Sequence, residues 1–254
     1  MNLDEHYILP SWPAPNNILC FSTLRTGGYS QAPYCSFNIA SHVGDRPQNV
    51  IKNRHKLIND WGLISPPSWL KQHHGTACIK LNNTTTNLFA DASTTRQLNT
   101  PCAVMTADCL PILICNKQGT EIAAIHAGWR GLAAGIINST IQQCQSAPGS
   151  LLAWLGPAIG VDAFTINEDI KQLFVNKDSA YHQGFAGHDR NLRADIFDLA
   201  RINLEILGIN QIYGGKYCTY RDSKQFFSYR RNQQTGRMAH LICITDTAHS
   251  GLKK

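Results

Sequence analysis

The chain has 254 residues, 43% of them hydrophobic, with 23 Lys and Arg against 17 Asp and Glu, a formal net charge of +6. One domain of this length buries roughly three-quarters of its unfolded surface, and no linker, charge block or internal repeat divides it, so residues 1–254 are expected to form a single domain. The cations are scattered, densest only from Arg221 to Arg237, which argues against the basic stripe of a nucleic-acid binder and leaves plain solubility or an anionic small substrate.

The opening Met-Asn-Leu-Asp-Glu, followed by Pro10, Pro13 and Pro15, lacks the regions of a signal peptide. Ile18 to Leu24 reads as a strand running into the turn Arg25-Thr26-Gly27-Gly28. Asp45 and Pro47 mark a helix start, with Asp45 as N-cap. Val50, Arg54, Leu57, Ile58 and Trp61 follow at helical spacing up to Gly62. Short strands are expected at Trp69–Gln72, Ala77–Leu81, Ala103–Thr106, Pro111–Cys115 and Glu121–His126, several of them continuous apolar runs suited to burial on both faces. One helix is expected from Trp129 to about Cys144, with Leu132, Ile136, Ile137 and Ile141 on one side. A strand at Leu151–Leu155, helices near Glu168–Val175 and Asp195–Leu207, and a closing strand at Met238–Thr245 complete the pattern. The order implies an α/β or α+β fold with a mixed sheet. No apolar run nears the roughly 20 residues of a membrane span. Nine Cys without a Cys-x-x-Cys pair point to reduced thiols and a cytoplasmic setting, and Cys20, Cys115 and Cys243 read as buried small hydrophobes.

Three segments carry metal-capable side chains where a buried strand ends: Gln72-His73-His74-Gly75, Ala107-Asp108-Cys109-Leu110-Pro111 and His126-Ala127-Gly128-Trp129-Arg130-Gly131. Two His and one Cys suit zinc, and three protein ligands leave the open fourth position of a catalytic site, where zinc lowers the pKa of a bound water toward ~7. Copper suits the same donors. A metal-free reading makes Cys109 a nucleophile and His126 its base. In a chain with 9 Cys and 10 His, accidental pairing weighs about as much as either.

Other residues carry paired readings. Gly128 and Gly131, with Arg130, either bind an anion at a helix start or merely permit close packing. Asn38 and His42 offer polar groups ahead of the first helix. Arg54 lies on an apolar stripe, where it snorkels, pairs or binds phosphate. Phe226-Phe227-Ser228-Tyr229-Arg230-Arg231 either stacks on a base and binds its phosphate or forms an edge strand with a charged rim.

Together these segments resemble the YfiH family, labelled "laccase domain" or multicopper polyphenol oxidase and later described as purine nucleoside phosphorylases. The resemblance runs nearly end to end: Thr26-Gly27-Gly28-Tyr29-Ser30, Phe37 to Asp45, Asn53-Arg54, the three metal-capable segments, Leu155 to Gly160, Phe227 to Arg231 and Thr235-Gly236-Arg237. By resemblance the metal ligands are His74, Cys109 and His126. His74 is chosen because it adjoins Gly75, although position 73, usually apolar in the family's Gln-x-His-Gly motif, is also His here. The resemblance implies a compact layered α/β/α-like fold, kin in its Cys–His geometry to toxin-type cysteine deamidases. It implies phosphorolysis of adenosine, inosine, guanosine and 5′-methylthioadenosine, and deamination of adenosine. The expected cofactor is zinc, with copper as the alternative. The expected partners are purine nucleosides and phosphate, with neither nucleic acid nor membrane, in a monomer or homodimer. Arg54 and Arg130, with Asn38 and His42, are expected at substrate and phosphate, and Asp108 as the acid that assists base departure. Competing functions are copper-dependent polyphenol oxidation, disfavoured because multicopper sites need many more His ligands, a cysteine amidase using Cys109 and His126, and a non-catalytic metal module.

Overall fold

The long apolar runs become the central strands of two stacked sheets. In the computed structural model, which describes residues 5–82 and 84–246, the elements follow in this order. First come β1 (Tyr7–Ile8), β2 (Ile18–Thr23) and α1 (Pro47–Trp61). Then come β3 (Cys78–Lys80), β4 (Ala92–Thr95), β5 (Cys102–Thr106), β6 (Leu110–Asn116) and β7 (Ile122–Ala127). After α2 (Trp129–Ala134) and α3 (Ile136–Gln143) lie β8 (Leu151–Leu155), α4 (Glu168–Val175), β9 (Phe185–Ala186), β10 (Arg193–Ala194), α5 (Ile196–Ile206), β11 (Gln211–Gly214) and β12 (Met238–Ile244). Part of the N-terminal leader reading falls on residues 1–4, outside the described residues.

One sheet has the order β1-β2-β12-β5 and is antiparallel throughout; the other is mixed, with the order β11-β8-β6-β7-β4-β3. Its outer pairs, β11 with β8 and β3 with β4, are parallel, and its inner pairs are antiparallel. The chain is thus a mixed α/β structure, as the alternation of periods implies. Its layers are α1, the antiparallel sheet, the mixed sheet, and then α2 to α5.

Period-2 alternation explains this stacking. On β6, Leu113 and Cys115 face the antiparallel sheet, where they meet Val104 and Ile242. Leu110, Ile112 and Ile114 point the other way, onto Ile136, Ile137 and Leu199 of the helices. Every β6 residue is buried, so both faces of the strand are apolar. The outer face of the antiparallel sheet packs Phe21 flat on Trp61 of α1, with ring centroids 4.4 Å apart. Each such fully buried side chain contributes about 1.5–3 kcal/mol over its exposed state.

Four local expectations are corrected. Trp69–Gln72 is not a strand; the Gln72 side chain itself bonds the Met105 main chain, Nε2 to O and Oε1 to N at 2.8 Å each, in place of a ladder. The helix expected over 129–144 is two helices, because Gly135 takes a left-handed φ of 102° that ends α2 and starts α3. Asp45 does not cap α1. The N-cap is Arg46, and the Asp45 carboxylate instead accepts from Ser30 Oγ at 2.6 Å and Asn38 Nδ2 at 2.9 Å. The edge strand offered as one reading of Phe226–Arg231 is not formed; the segment is irregular through Ser228 and turns over residues 229–231. Arg231 holds it there by donating to the carbonyls of Thr219, Tyr220 and Phe226.

Candidate metal centre

A cleft of about 530 Å³ opens at one end of the seam between the sheets. β6 and β7 run antiparallel with Pro111 opposite His126, so Cys109, just before β6, lies near the end of β7. On β7, Ile122 and Ala124 face the antiparallel sheet. His126 shares their parity and therefore points into the seam. His74 arrives from the loop before β3. The result is three ligand atoms within 4.8 Å of one another. Cys109 Sγ lies 3.7 Å from His74 Nε2, and the two imidazoles meet edge to face with centroids 4.8 Å apart. Among the described residues this is the group of three that could hold an ion. Its donors, two imidazoles and a thiolate, match the borderline-soft preference of zinc and of copper.

Asp91, the residue before β4, ties the centre together. It is fully buried, and its Oδ1 lies 2.8 Å from His126 Nδ1. It also accepts the main-chain N–H of His74 at 2.9 Å, of Gly75 at 2.8 Å and, more loosely, of His73. His74 takes a left-handed φ of 62°, which turns successive amides inward around the carboxylate. Burial works to raise the Asp91 pKa, but hydrogen bonds from His126, Gly75 and His73 outweigh it and hold the group below the usual carboxylate range. The His73 side chain is half exposed, with its Nδ1 3.4 Å from Asp91 Oδ2.

The metal-free thiol and imidazole polarise each other. Burial alone would raise the Cys109 pKa, but the charge and hydrogen bond of His126, aided by His74, bring it down to about 6. Burial alone would lower His126, but the Cys109 thiolate and the Asp91 carboxylate lift it to about 9. Gly128 serves close approach here. A Cβ at that position would lie 2.9 Å from His74 Cδ2 and 3.0 Å from Cys109 Sγ. A Cβ at Gly131 would press the Gly75 carbonyl at 2.9 Å, so the packing reading of these glycines is the one the geometry supports.

The facing wall is cationic. Arg130, Arg230 and Arg237 line it, with His42 and Tyr229. Arg130 lies over the Trp129 ring at 4.3 Å, Arg230 over Phe164 at 5.6 Å and Arg237 over Tyr229 at 5.7 Å. Asp108 also lines the cleft, with a strained φ of 94°. Its carboxylate accepts from Thr219 Oγ1 and from the Arg230 N–H, each at 2.6 Å. Burial, with the charges of Arg237 and Arg54, lowers the His42 pKa, so its ring is neutral at pH 7. Arg54 and Asn38 do not line the cleft. Arg54 donates to the Ile39 carbonyl at 3.0 Å and covers Trp69 at 4.7 Å. Asn38 is buried and holds the Arg237 main-chain N–H at 2.9 Å through Oδ1. Beneath the floor, the buried His240 bridges Ser22 Oγ at 2.6 Å and Thr106 Oγ1 at 2.8 Å. Burial, with a lesser push from His126, drives its pKa down to about 3.

Sequence reading passed over Asp91, Arg230 and Arg237 as site residues. Asp91 stands alone in an otherwise bland run and carries no spacing signal. Arg230 lay within Phe226–Arg231, a segment already marked by its mixture of aromatics and cations, and Arg237 within the Thr235-Gly236-Arg237 motif of the family resemblance.

Comparison with known proteins gives a consistent picture. A family model described as multi-copper polyphenol oxidoreductase laccase matches residues 19–245. Two proteins named purine nucleoside phosphorylase YfiH, from Shigella flexneri and Escherichia coli, are each 46% identical over 238 residues, covering 93% of this chain and 98% of theirs. The crystal structure of Neisseria meningitidis protein NMB0706 superposes with a TM-score of 0.91 at 41% identity, covering 94% of this chain and 99% of that one.

Proposed function

Because the chain belongs to the family described as multi-copper polyphenol oxidoreductase laccase, in which close relatives carry the name purine nucleoside phosphorylase, we propose that residues 1–254 form one catalytic domain that cleaves purine nucleosides with phosphate. The observation that carries this reading is the pairing of a three-donor metal centre with a wall of three arginines across one cleft. Adenosine, inosine, guanosine and 5′-methylthioadenosine are the substrates, and adenosine is also deaminated. Among the described residues no helix is long and apolar enough to cross a membrane. The nine cysteines are free, which fits work in a reducing cytoplasm.

His74, Cys109 and His126 would hold the ion, zinc in the first instance. When bound, zinc supplies a Lewis acid and lowers the pKa of water beside the substrate. The remaining work falls to side chains. Arg230 and Arg237 present guanidinium N–H groups to phosphate, whose oxygens they match better than an ammonium would. Arg130 adds a third positive charge to the cleft. Tyr229, half exposed and backed by Arg237, offers a ring face for the purine. Neutral His42 suits a hydroxyl of the ribose. Asp108 already uses both carboxylate oxygens as acceptors, so its part is to fix Arg230 and Thr219 at the wall. Asn38 acts through Arg237 in the same way. Arg54 braces the Ile39 loop beside His42.

The test is a product assay on a nucleoside panel with the metal-loaded protein, with and without phosphate. Phosphate-dependent release of free base and ribose 1-phosphate is expected, with inosine formed from adenosine in either case. If no nucleoside is consumed by protein that holds one equivalent of zinc, the reading fails.

A second reading has its own observation: Cys109, His126 and Asp91 form a thiol, a base and an orienting carboxylate, the order used by cysteine hydrolases. Amide hydrolysis that survives chelation but not Cys109→Ala would favour it.

A further inference from the structure

Asp91 offers one carboxylate to both histidine-bearing arms of the centre. His126 comes from a strand and His74 from a loop, and these arms have no ladder in common. Asp91 Oδ1 lies 2.8 Å from His126 Nδ1 and receives the His74 amide at 2.9 Å, while Oδ2 receives the Gly75 amide at 2.8 Å. The Asp91 main-chain carbonyl also accepts the His126 N–H at 2.7 Å.

A fully buried carboxylate is costly unless it is thoroughly hydrogen-bonded. A purely structural plug could be apolar. What a charged acceptor adds is chemical. Both Asp91 oxygens already accept main-chain N–H groups, from His74 and from Gly75, so the carboxylate acts as an acceptor and the proton in the 2.8 Å contact belongs to His126 Nδ1. That fixes the tautomer and leaves Nε2, on the far side of the ring, with a free lone pair for a cation. It also makes the imidazole a better donor.

Resting on the reading of His74, Cys109 and His126 as metal ligands, we infer that Asp91 is the positioning residue of the centre: it sets the His126 tautomer and, through the amides of residues 73–75, locks His74 in register with it. It touches neither substrate nor ion. Asp91→Asn keeps one oxygen for His126 but turns an NH₂ group against the amides of His73 and Gly75. Asp91→Ala removes both contacts.

The experiment titrates cobalt(II) into the chelator-treated full chain, followed by the thiolate-to-cobalt charge-transfer band and the visible ligand-field bands. Wild type is expected to take up one cobalt with both features. Asp91→Asn and Asp91→Ala are expected to bind about 10–100-fold more weakly, with altered ligand-field bands. Wild-type affinity and spectrum in both variants would overturn the inference while leaving the metal reading intact. Absence of the charge-transfer band in wild type itself would overturn both. A second measurement, independent of how the variants fold, is made on zinc-loaded wild type: side-chain ¹⁵N NMR of selectively labelled histidine, with His126 assigned against His126→Gln. A proton on Nδ1 and none on Nε2 is expected; the opposite tautomer sinks the inference without any variant at Asp91.

Discussion

His126 and Arg237 face the same cleft but are held there in different ways. His126 sits in the middle of the mixed sheet, with β6 on one side and β4 on the other, and its ring is fixed by a buried carboxylate. Arg237 lies at the end of a turn-rich stretch. Its main chain is fixed by Asn38, and its side chain reaches the carbonyls of Thr235 and Gly236. His126 is thus set by strand ladders and a buried carboxylate, whereas Arg237 is set by individual hydrogen bonds between loops. A substitution on the His126 wall should propagate to its neighbours, and one on the Arg237 wall should stay local.

The strongest contrast is between Cys109→Ala and the arginines. Cys109→Ala should abolish stoichiometric metal binding and lower kcat/KM by about 10³-fold, the loss of several kcal/mol of Lewis-acid assistance. Metal analysis beside the product assay checks it. Gly128→Ala sharpens the point without touching a ligand. Its new Cβ presses His74 and Cys109, so zinc affinity should fall about 10–100-fold while the thermal transition of the metal-free protein moves little. If Gly128→Ala binds zinc normally, the tight-wall argument breaks. Arg237→Ala and Arg230→Ala should each raise the KM for phosphate about 10-fold, the value of one hydrogen bond to a charged group, with zinc content unchanged. A fall in zinc content would mean that the walls are coupled.

Two smaller effects probe the ground beneath each wall. His240 is neutral when folded, and its pKa is pushed down to about 3. An unfolded histidine titrates near ~6.5. Between these values the unfolded chain binds the extra proton, so this contribution is complete above pH ~6.5 and is lost as the pH falls below it, at no more than ~1.4 kcal/mol per pH unit. Urea unfolding of wild type and His240→Asn across that window should show a shallower slope in the variant. Arg54→Ala removes one hydrogen bond and one ring contact, so it should cost about 1 kcal/mol of stability and leave the phosphate KM nearly unchanged. A large rise in that KM would return Arg54 to the phosphate pocket.

The same contrast governs what could be read from sequence. Elements with one strong periodicity were legible: α4 matches the expected Glu168–Val175, and α5 begins where Asp195 caps it, accepting from the Phe197 and Asp198 amides. β4 was missed because Ala92-Ser93-Thr94-Thr95 is polar in composition yet buried throughout. Thr94 Oγ1 donates to the Ile122 carbonyl and Thr95 Oγ1 to the Leu81 carbonyl, satisfactions that no composition rule anticipates. Trp69–Gln72 was overread because an apolar pair suggested a strand, whereas a glutamine amide can imitate one with its side chain. In the site, the three segments with metal-capable residues were visible because each is unusual in itself. The meeting of His42, Tyr229 and Arg237 was not, because it depends on two long loops, between β2 and α1 and between β11 and β12, whose path no local pattern encodes.

One consequence of the Pro111 and His126 pairing concerns how the gene can change. A codon added within Ile122–His126 would turn every later side chain of that strand to the opposite face, taking the imidazole out of the seam. The same codon added in the Lys117–Gly119 turn, where the hairpin closes far from the cleft, would be absorbed by the bend. Length variation is therefore expected to be tolerated at one end of this hairpin and purged at the other. A deep scan of single-residue insertions would draw that border residue by residue.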